Sequence, residues 1–447
     1  MQLSAWREIW SMQGVHMRYS NDTGVSSFDG NKKLWIIMDM NKLIMAEKVR
    51  QEAELSLIAS ENYAPEEILR MVGSVLTNKY AEGYPGKRYY AGCDVIDEIE
   101  RSAMASCTSL FGSEYANLQP HAGAIANLAA YFAFAKPGDS ILSMDFRAGG
   151  HLTHGAPANI TSRLFNFIHY GLHPETQMLD FAEIEKLAHE HRPKIIIAGA
   201  SAYSRVIDFE IFARIARDAG AVLLADIAHI AGPIAAGLHP SPVPYADCVT
   251  GTTHKTLRGP RGGFIMSRAA HAQAIDRAVM PGIQGGPCMH VIAAKGRCFE
   301  LAQTPEFKSY QELVLKNARF MAGKFLALGY PVVSGGTDTH LFILDLRFTG
   351  PRGLTGKQAE ESLAQAGILV SRSCIPGDTQ SPAIGSGIRL GTPALTARGM
   401  GLPECEEIVG FVHDVLRRPD DRDLVQRVRV QVKALCEKYP AYPKQLT

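Results

Sequence analysis

The chain has 447 residues, 46% hydrophobic and 20% charged, the make-up of an ordinary folded protein with room for two or three core-bearing units. Its 46 basic and 45 acidic residues leave a formal charge of +1, so no basic face for nucleic acid or an acidic membrane is expected. No apolar run approaches the ~20 residues of a membrane helix, and the eight cysteines are scattered without a Cys-x-x-Cys pair, a pattern of reduced thiols in the cytoplasm rather than of disulfides or zinc.

Residues 1–40 mix Asn, Asp, Gly and Ser with isolated aromatics, and residues 1–33 lack the succession of a secretory signal. They read as an extension of no assigned role, or as sequence upstream of a start at Met38, Met40 or Met45. From Lys42 to Leu57 the apolar residues follow a helical period, with Glu47 to Glu54 on a solvated face. Ser60 to Tyr90, rich in Tyr, Gly and Asn, is a long irregular segment of the kind that carries function. Val95 to Leu110 reads as a helix. A second helix runs from the Asn117–Asn127 segment to about Ala135. Gly123 opens it beside the small Ala124, and free backbone N–H groups there make an anion cup. A plain helix start fits the same residues.

From Asp139 to Ser267 short β-rich runs (Ile141–Met144, Ile195–Ile197, Val222–Ala225, Phe264–Met266) alternate with helical patterns such as Phe181–His191 and Phe209–Ala219. That alternation implies an α/β fold with a mostly parallel sheet covered by helices on both faces. Ligands of such sheets sit at the carboxyl ends of strands, and Asp226 directly follows one of these runs. A strand-end aspartate is equally a helix cap. A long helix over Glu306–Leu328 marks a domain junction. Beyond it, strands (Leu341–Leu346, Ile368–Val370) and helices (Gly356–Ala366, Cys405–Leu416) suggest a smaller C-terminal α+β domain. The expected division is an extension over 1–40, an arm over 41–80, a large domain over 81–315 and a small domain over 316–447.

Two lookalikes are weak. Gly385–Gly391 has the wrong spacing for a dinucleotide fingerprint. His151 and His154 could pair on a metal, but no His-Glu-x-x-His pattern or acidic partner accompanies them, so no metal is expected.

The densest chemistry lies in Thr252-Thr253-His254-Lys255-Thr256-Leu257-Arg258-Gly259-Pro260-Arg261-Gly262-Gly263. A surface lysine titrates near ~10.4 and is a poor nucleophile at neutral pH. In a desolvated, partly cationic pocket the same amine loses its proton more easily and can form a Schiff base. The run also reads as an exposed basic loop, because four basic residues fall within eight positions.

This segment resembles the Schiff-base segment of the serine hydroxymethyltransferases. So do Leu57–Tyr63, Leu76–Tyr90, Gly149–Gly155, Asp226–Gly232, Gln284–Pro287 and Arg389–Ala394, in that family's order from about Glu47 onward. The resemblance implies a fold type I pyridoxal-phosphate transferase. It places Lys255 on the aldehyde of pyridoxal 5′-phosphate, Asp226 at the pyridine nitrogen and His151 against the ring. Ser201 and His229 fall near the phenolic oxygen, and Gly123 and Ala124 at the phosphate. Arg389 and Ser60 would hold the substrate carboxylate. Tyr80, Glu82, Tyr89, Tyr90 and Gly286 would serve the site of a neighbouring subunit, Glu82 handling protons at the substrate hydroxyl; Leu152 would line the substrate. The implied reaction is serine plus tetrahydrofolate giving glycine plus 5,10-methylenetetrahydrofolate, in a homodimer with shared active sites or a tetramer.

The match has departures. Ala122 and Ala124 replace serines, Ala91 replaces a glycine, Gly251 interrupts a threonine run, and Phe146 replaces a smaller aliphatic residue. Val370–Cys374 replaces an Asn-Lys-Asn segment that contacts folate. A related α-methylserine hydroxymethyltransferase or a folate-independent β-hydroxy-amino-acid aldolase is therefore the alternative. A non-catalytic relative has no need of Lys255, Asp226, His151 and Arg389 together.

Overall fold

The computed structural model describes residues 39–347 and 353–442. Compactness divides the chain into two units, Met1–Arg50 and Gln51–Thr447. The expected extension over 1–40 lies outside the described residues except for its last two positions. A helix over Met40–Ala53 buries none of its side chains, in keeping with a solvated segment.

In chain order the strands are β1 (Leu55–Ser56), β2 (Gly83–Tyr84), β3 (Lys87–Arg88), β4 (Tyr115–Asn117), β5 (Ser140–Met144), β6 (Asn166–Tyr170) and β7 (Ile195–Gly199). There follow β8 (Val222–Asp226), β9 (Cys248–Thr252), β10 (Gly263–Ser267), β11 (Leu341–Asp345), β12 (Ile368–Leu369), β13 (Ser371–Ser373) and β14 (Gly387–Gly391). Seven of them form one sheet in the order β4-β10-β9-β8-β7-β5-β6. Neighbours from β9 to β6 are parallel, and β10 runs antiparallel between β4 and β9. The fold is the α/β class expected of a mostly parallel sheet.

Strand side chains alternate between the two faces, and two apolar clusters divide them accordingly. Leu142, Ile196, Ala198, Leu223 and Ala225 pack with buried residues of the Asp94–Phe111, Phe181–His191, Phe209–Ala219 and Met289–Leu301 helices. Ile141, Ile195, Ile197 and Leu224 pack instead with Ala126, Ala129, Ala130 and Tyr131 of the Gly123–Phe134 helix. Asp180 and Asp208 start two of the covering helices by accepting bonds from first-turn N–H groups, as short carboxylates do at helix starts.

A third cluster gathers around the antiparallel sheet β11-β14-β13 and the Leu402–Arg417 and Arg422–Lys438 helices. The helix over Pro305–Ala327 serves both cores. Phe307 belongs to the large-sheet cluster, whereas Met321, Ala322 and Phe325 belong to the other. The boundary expected at 316 falls inside this helix.

One local expectation is corrected. The helix expected through Leu57 stops at Ala53, because Leu55 and Leu57 are fully buried in the small-sheet core and β1 pairs in parallel with β12. Burial and strand pairing override the helical spacing there. The strand expected over Ile368–Val370 is β12, which pairs with β1, and β13 follows directly after it and pairs with β14.

Gly155 shows how tightly the strand ends are packed. Its φ is +93°, and an added Cβ would lie 2.2 Å from Cγ of Phe167 on β6. Gly155→Ala is expected to lower the unfolding free energy by about 1–3 kcal/mol, from overpacking together with a left-handed backbone. Equilibrium urea unfolding checks this; an unchanged midpoint would contradict it.

Candidate active site

Asp226 and Lys255 lie at or just beyond the ends of the neighbouring strands β8 and β9. Asp226 is the last residue of β8 and is 8% exposed. Its Oδ2 accepts bonds from Asn127 Nδ2 at 2.9 Å and His154 Nε2 at 3.0 Å, and its Oδ1 from the Ala228 N–H at 3.0 Å. Burial alone would raise this carboxyl. The hydrogen bond and charge of His154, helped by His151 and Asn127, hold it well below the usual carboxylate range. A permanently charged acid thus sits at a strand end with three donors aimed at it.

Lys255 follows β9 by three residues and is 8% exposed. Asn62 Nδ2 fixes its carbonyl at 2.9 Å and also bonds the Tyr310 hydroxyl, so the irregular segment after β1 anchors the lysine's backbone. Burial pushes the Lys255 amine down to about 8; Asp226 opposes this, and Arg389 and Arg261 add to it. The exposed-loop reading therefore fails for Lys255.

His151 opens a short turn, its Nδ1 accepting from the Thr153 N–H at 3.2 Å. Burial brings its imidazole down to about 4, with Asp226 opposing, so the ring is neutral at physiological pH. His229 is buried and lies nearly parallel to His340, with ring centroids 5.5 Å apart and Nδ1 of the first 3.3 Å from Nε2 of the second. Burial and then the Lys255 charge hold His229 well below its ordinary value.

Arg389, at the centre of β14, donates from Nη1 to the Ser201 carbonyl at 2.6 Å. Burial lowers its guanidinium to about 10. Its Nε is buried and has no hydrogen-bond partner among the described residues. An orphaned donor on a half-buried cation is what a site prepared for a carboxylate presents.

The Gly123–Phe134 helix starts at Ala122 with no side-chain cap. An added Cβ at Gly123 would lie 2.6 Å from Cγ2 of Thr252, so only glycine lets the helix start approach the end of β9. Ser60 is half-buried after β1, whereas Leu152 is 47% exposed.

A second group lies apart from Lys255. Tyr80, Tyr89 and Tyr90 are 59%, 72% and 46% exposed, and the Tyr80 and Tyr90 rings meet edge to face at 5.1 Å. Added Cβ atoms at Gly285 and Gly286 would lie 3.2 Å from Glu82 Oε1 and 3.4 Å from Tyr80. The structure thus gathers Tyr80, Glu82, Tyr90, Gly285 and Gly286 beside one another on the surface. Among the described residues no hydrogen bond joins them to Asp226, Lys255 or Arg389.

Several contributors escaped the sequence reading. His340 lies outside the motifs that carry the resemblance, and Asn127 and His154 bond Asp226, with Thr250 behind Asn127, although nothing in the sequence ties them to that carboxylate. Thr250 Oγ1 donates to Asn127 Oδ1 at 2.6 Å, orienting the amide whose nitrogen serves Asp226. The acidic partner that the sequence around His151 and His154 lacks is supplied by Asp226, their ligand atoms lying within 4.8 Å of one another. The bonds from Asn127 and Ala228 to the Asp226 carboxylate show those oxygens already engaged.

The donor set fits pyridoxal phosphate. It offers a neutralisable amine, an ionised carboxylate, a neutral imidazole, a guanidinium with an open donor and a helix start without a side-chain cap. Residues 36–412 match the family model described as serine hydroxymethyltransferase. The chain is 51% identical over 426 residues to a serine hydroxymethyltransferase of Alkalilimnicola ehrlichii, covering 95% of this chain and 99% of that protein. The chain belongs to the serine hydroxymethyltransferase family.

Proposed function

We propose that the chain transfers the hydroxymethyl group of serine to tetrahydrofolate, giving glycine and 5,10-methylenetetrahydrofolate, with Lys255, Asp226, His151 and Arg389 as the working set. The observation that carries the reading is the pairing of a buried amine brought to about 8 with a strand-end carboxylate kept ionised. Family membership makes the protein a pyridoxal-phosphate-dependent one-carbon transferase.

When bound, pyridoxal phosphate supplies the electron sink for charge left at the substrate Cα. Lys255 would hold the aldehyde through its amine. Asp226, fixed by His154 and Asn127, would keep a proton on the ring nitrogen. His151 would cover the ring without adding charge, and His229 and Ser201 would serve its phenolic oxygen. The Gly123–Ala124 helix start would take the phosphate on backbone N–H groups. Arg389 and Ser60 bind the serine carboxylate, which orients the Cα–Cβ bond.

Glu82 holds the proton at the serine hydroxyl in the site of a second copy, where Tyr80, Tyr89, Tyr90, Gly285 and Gly286 join it. The exposed aromatic cluster favours a homodimer, since large apolar side chains outside a core mark contact surfaces. Among the described residues no helix is long and apolar enough to cross a membrane. Eight unpaired thiols favour a cytoplasmic setting.

The lysine reading has a pH signature. Only the neutral amine attacks an aldehyde, and its fraction grows as pH rises through the Lys255 value of about 8. The rate at which cofactor-free protein develops the visible absorbance of bound pyridoxal phosphate is expected to rise roughly tenfold per pH unit below that value and level off above it. A flat profile from pH 6 to 9 would contradict the assignment.

A further inference from the structure

Lys295 is a buried cation that this chemistry does not use. It lies on the Met289–Leu301 helix and is 1% exposed. Its Nζ donates to three carbonyl oxygens, Leu118 at 2.7 Å, Pro120 at 3.0 Å and Gly263 at 2.7 Å. An ammonium has three protons and no acceptor, so these bonds account for all of it. Burial lowers the amine to about 7, against the pull of Cys288, Glu100 and Cys107. The carbonyls act in the other direction, because a neutral amine has one proton fewer and leaves one oxygen without a donor. An apolar side chain would fill this space without the desolvation cost of a charge.

The three carbonyls lie directly behind the open helix start. Pro120 O also accepts from the Gly263 N–H at 3.1 Å. Gly263 in turn packs on the helix start, where an added Cβ would lie 2.4 Å from Ala122 O and 3.0 Å from Gly123 N. Between the clamped carbonyls, Gln119 donates from Nε2 to Gly83 O at 3.0 Å and Glu100 Oε1 at 2.8 Å, and its own carbonyl accepts from Gln284 Nε2 at 2.7 Å. One turn thus meets the Lys295 helix, the segment carrying Glu82 and the segment carrying Gly285. Gly262 leaves room for the lysine, since a Cβ there would lie 2.3 Å from Lys295 Cε. Ala122 and Ala124 offer no hydroxyl, so anion binding at this helix start depends on how its backbone N–H groups are set and on nearby positive charge.

We infer that Lys295 is a positioning residue for phosphate binding: it clamps the Leu118–Pro120 turn to the start of β10 and thereby fixes the open helix start at Ala122–Ala124, with its charge behind it. The inference rests on the reading of that helix start as the phosphate cup.

The test compares two ligands that carry the same aldehyde and differ in the phosphate, pyridoxal phosphate and pyridoxal, each variant being set against wild type with the same ligand so that pyridoxal's internal hemiacetal cancels. Cofactor-free wild type, Lys295→Met and Lys295→Gln are titrated with each, following visible absorbance. Lys295→Met is expected to weaken pyridoxal phosphate by roughly tenfold or more and to leave pyridoxal within about twofold. Lys295→Gln, which keeps donors without charge, is expected to fall between. If Lys295→Met does not fold, the same ratio in Lys295→Gln decides. An unchanged affinity for pyridoxal phosphate would overturn the inference, as would an equal loss for both ligands, the mark of a general disturbance. A wild type that binds the two ligands equally well would overturn the phosphate-cup reading itself, whatever the variants do.

Discussion

Lys255→Ala is expected to slow the conversion of serine to glycine by at least about 10³-fold and to abolish the visible absorbance of covalently held cofactor, while leaving the fold intact. The side chain is 8% exposed, and its burial lowers the amine to about 8. Truncation removes both the nucleophile and a buried cation beside Arg389 and Arg261, so folding stability need not fall. The neighbouring backbone is held independently, with the Lys255 carbonyl on Asn62 and the Thr253 hydroxyl on the Pro260 carbonyl. Steady-state kinetics with an absorbance spectrum and a thermal melt check the three parts together. Near-wild-type turnover would remove Lys255 from the chemistry.

Arg389→Lys is expected to cost roughly 10²- to 10³-fold in kcat/KM for serine, in line with about 2–5 kcal/mol for disrupting a buried, hydrogen-bonded charge pair. Lysine keeps the charge but cannot present two parallel N–H groups to a carboxylate. The guanidinium donates one Nη1 bond to Ser201 O, and its buried Nε is left for a ligand. An ammonium has donors enough, but it cannot hold two of them side by side in the planar fork that a carboxylate matches. Cofactor affinity is expected to stay within a few-fold of wild type. Kinetics paired with a cofactor titration separate the two, and a loss confined to cofactor binding would move Arg389 out of the substrate site.

The large sheet was legible because its central strands are short β-branched runs between helices with clear periods. The Phe181–His191 and Phe209–Ala219 helices have the bounds that aspartate caps and apolar spacing indicate. β9 was hidden because Cys248-Val249-Thr250-Gly251-Thr252 reads as a hydroxyl-rich loop, although all five residues are buried. β1 was hidden because Leu55 and Leu57 continue a helical spacing, and only their distant partner β12 makes them a strand.

The candidate site was legible where chemistry is written into one segment, as around Lys255, or where a strand end is visible, as at Asp226. His340, Lys295 and Thr250 were not, because each acquires its role from residues brought together by the fold. His340 meets His229 across 111 positions, and Lys295 meets Leu118 across 177. The segment Val370–Cys374 gains meaning in the same way. β13 pairs with β14 and sets Ser371 opposite Arg389, so the stretch that departs most from the family pattern borders the proposed carboxylate site.

The most direct measurement is the glycine formed from serine by the full chain loaded with pyridoxal phosphate, with and without tetrahydrofolate. Hydroxymethyl transfer is expected to make glycine formation depend strongly on tetrahydrofolate, with one methylenetetrahydrofolate appearing for each glycine. Glycine formed at the same rate without tetrahydrofolate, accompanied by free formaldehyde, would contradict the account and identify an aldolase.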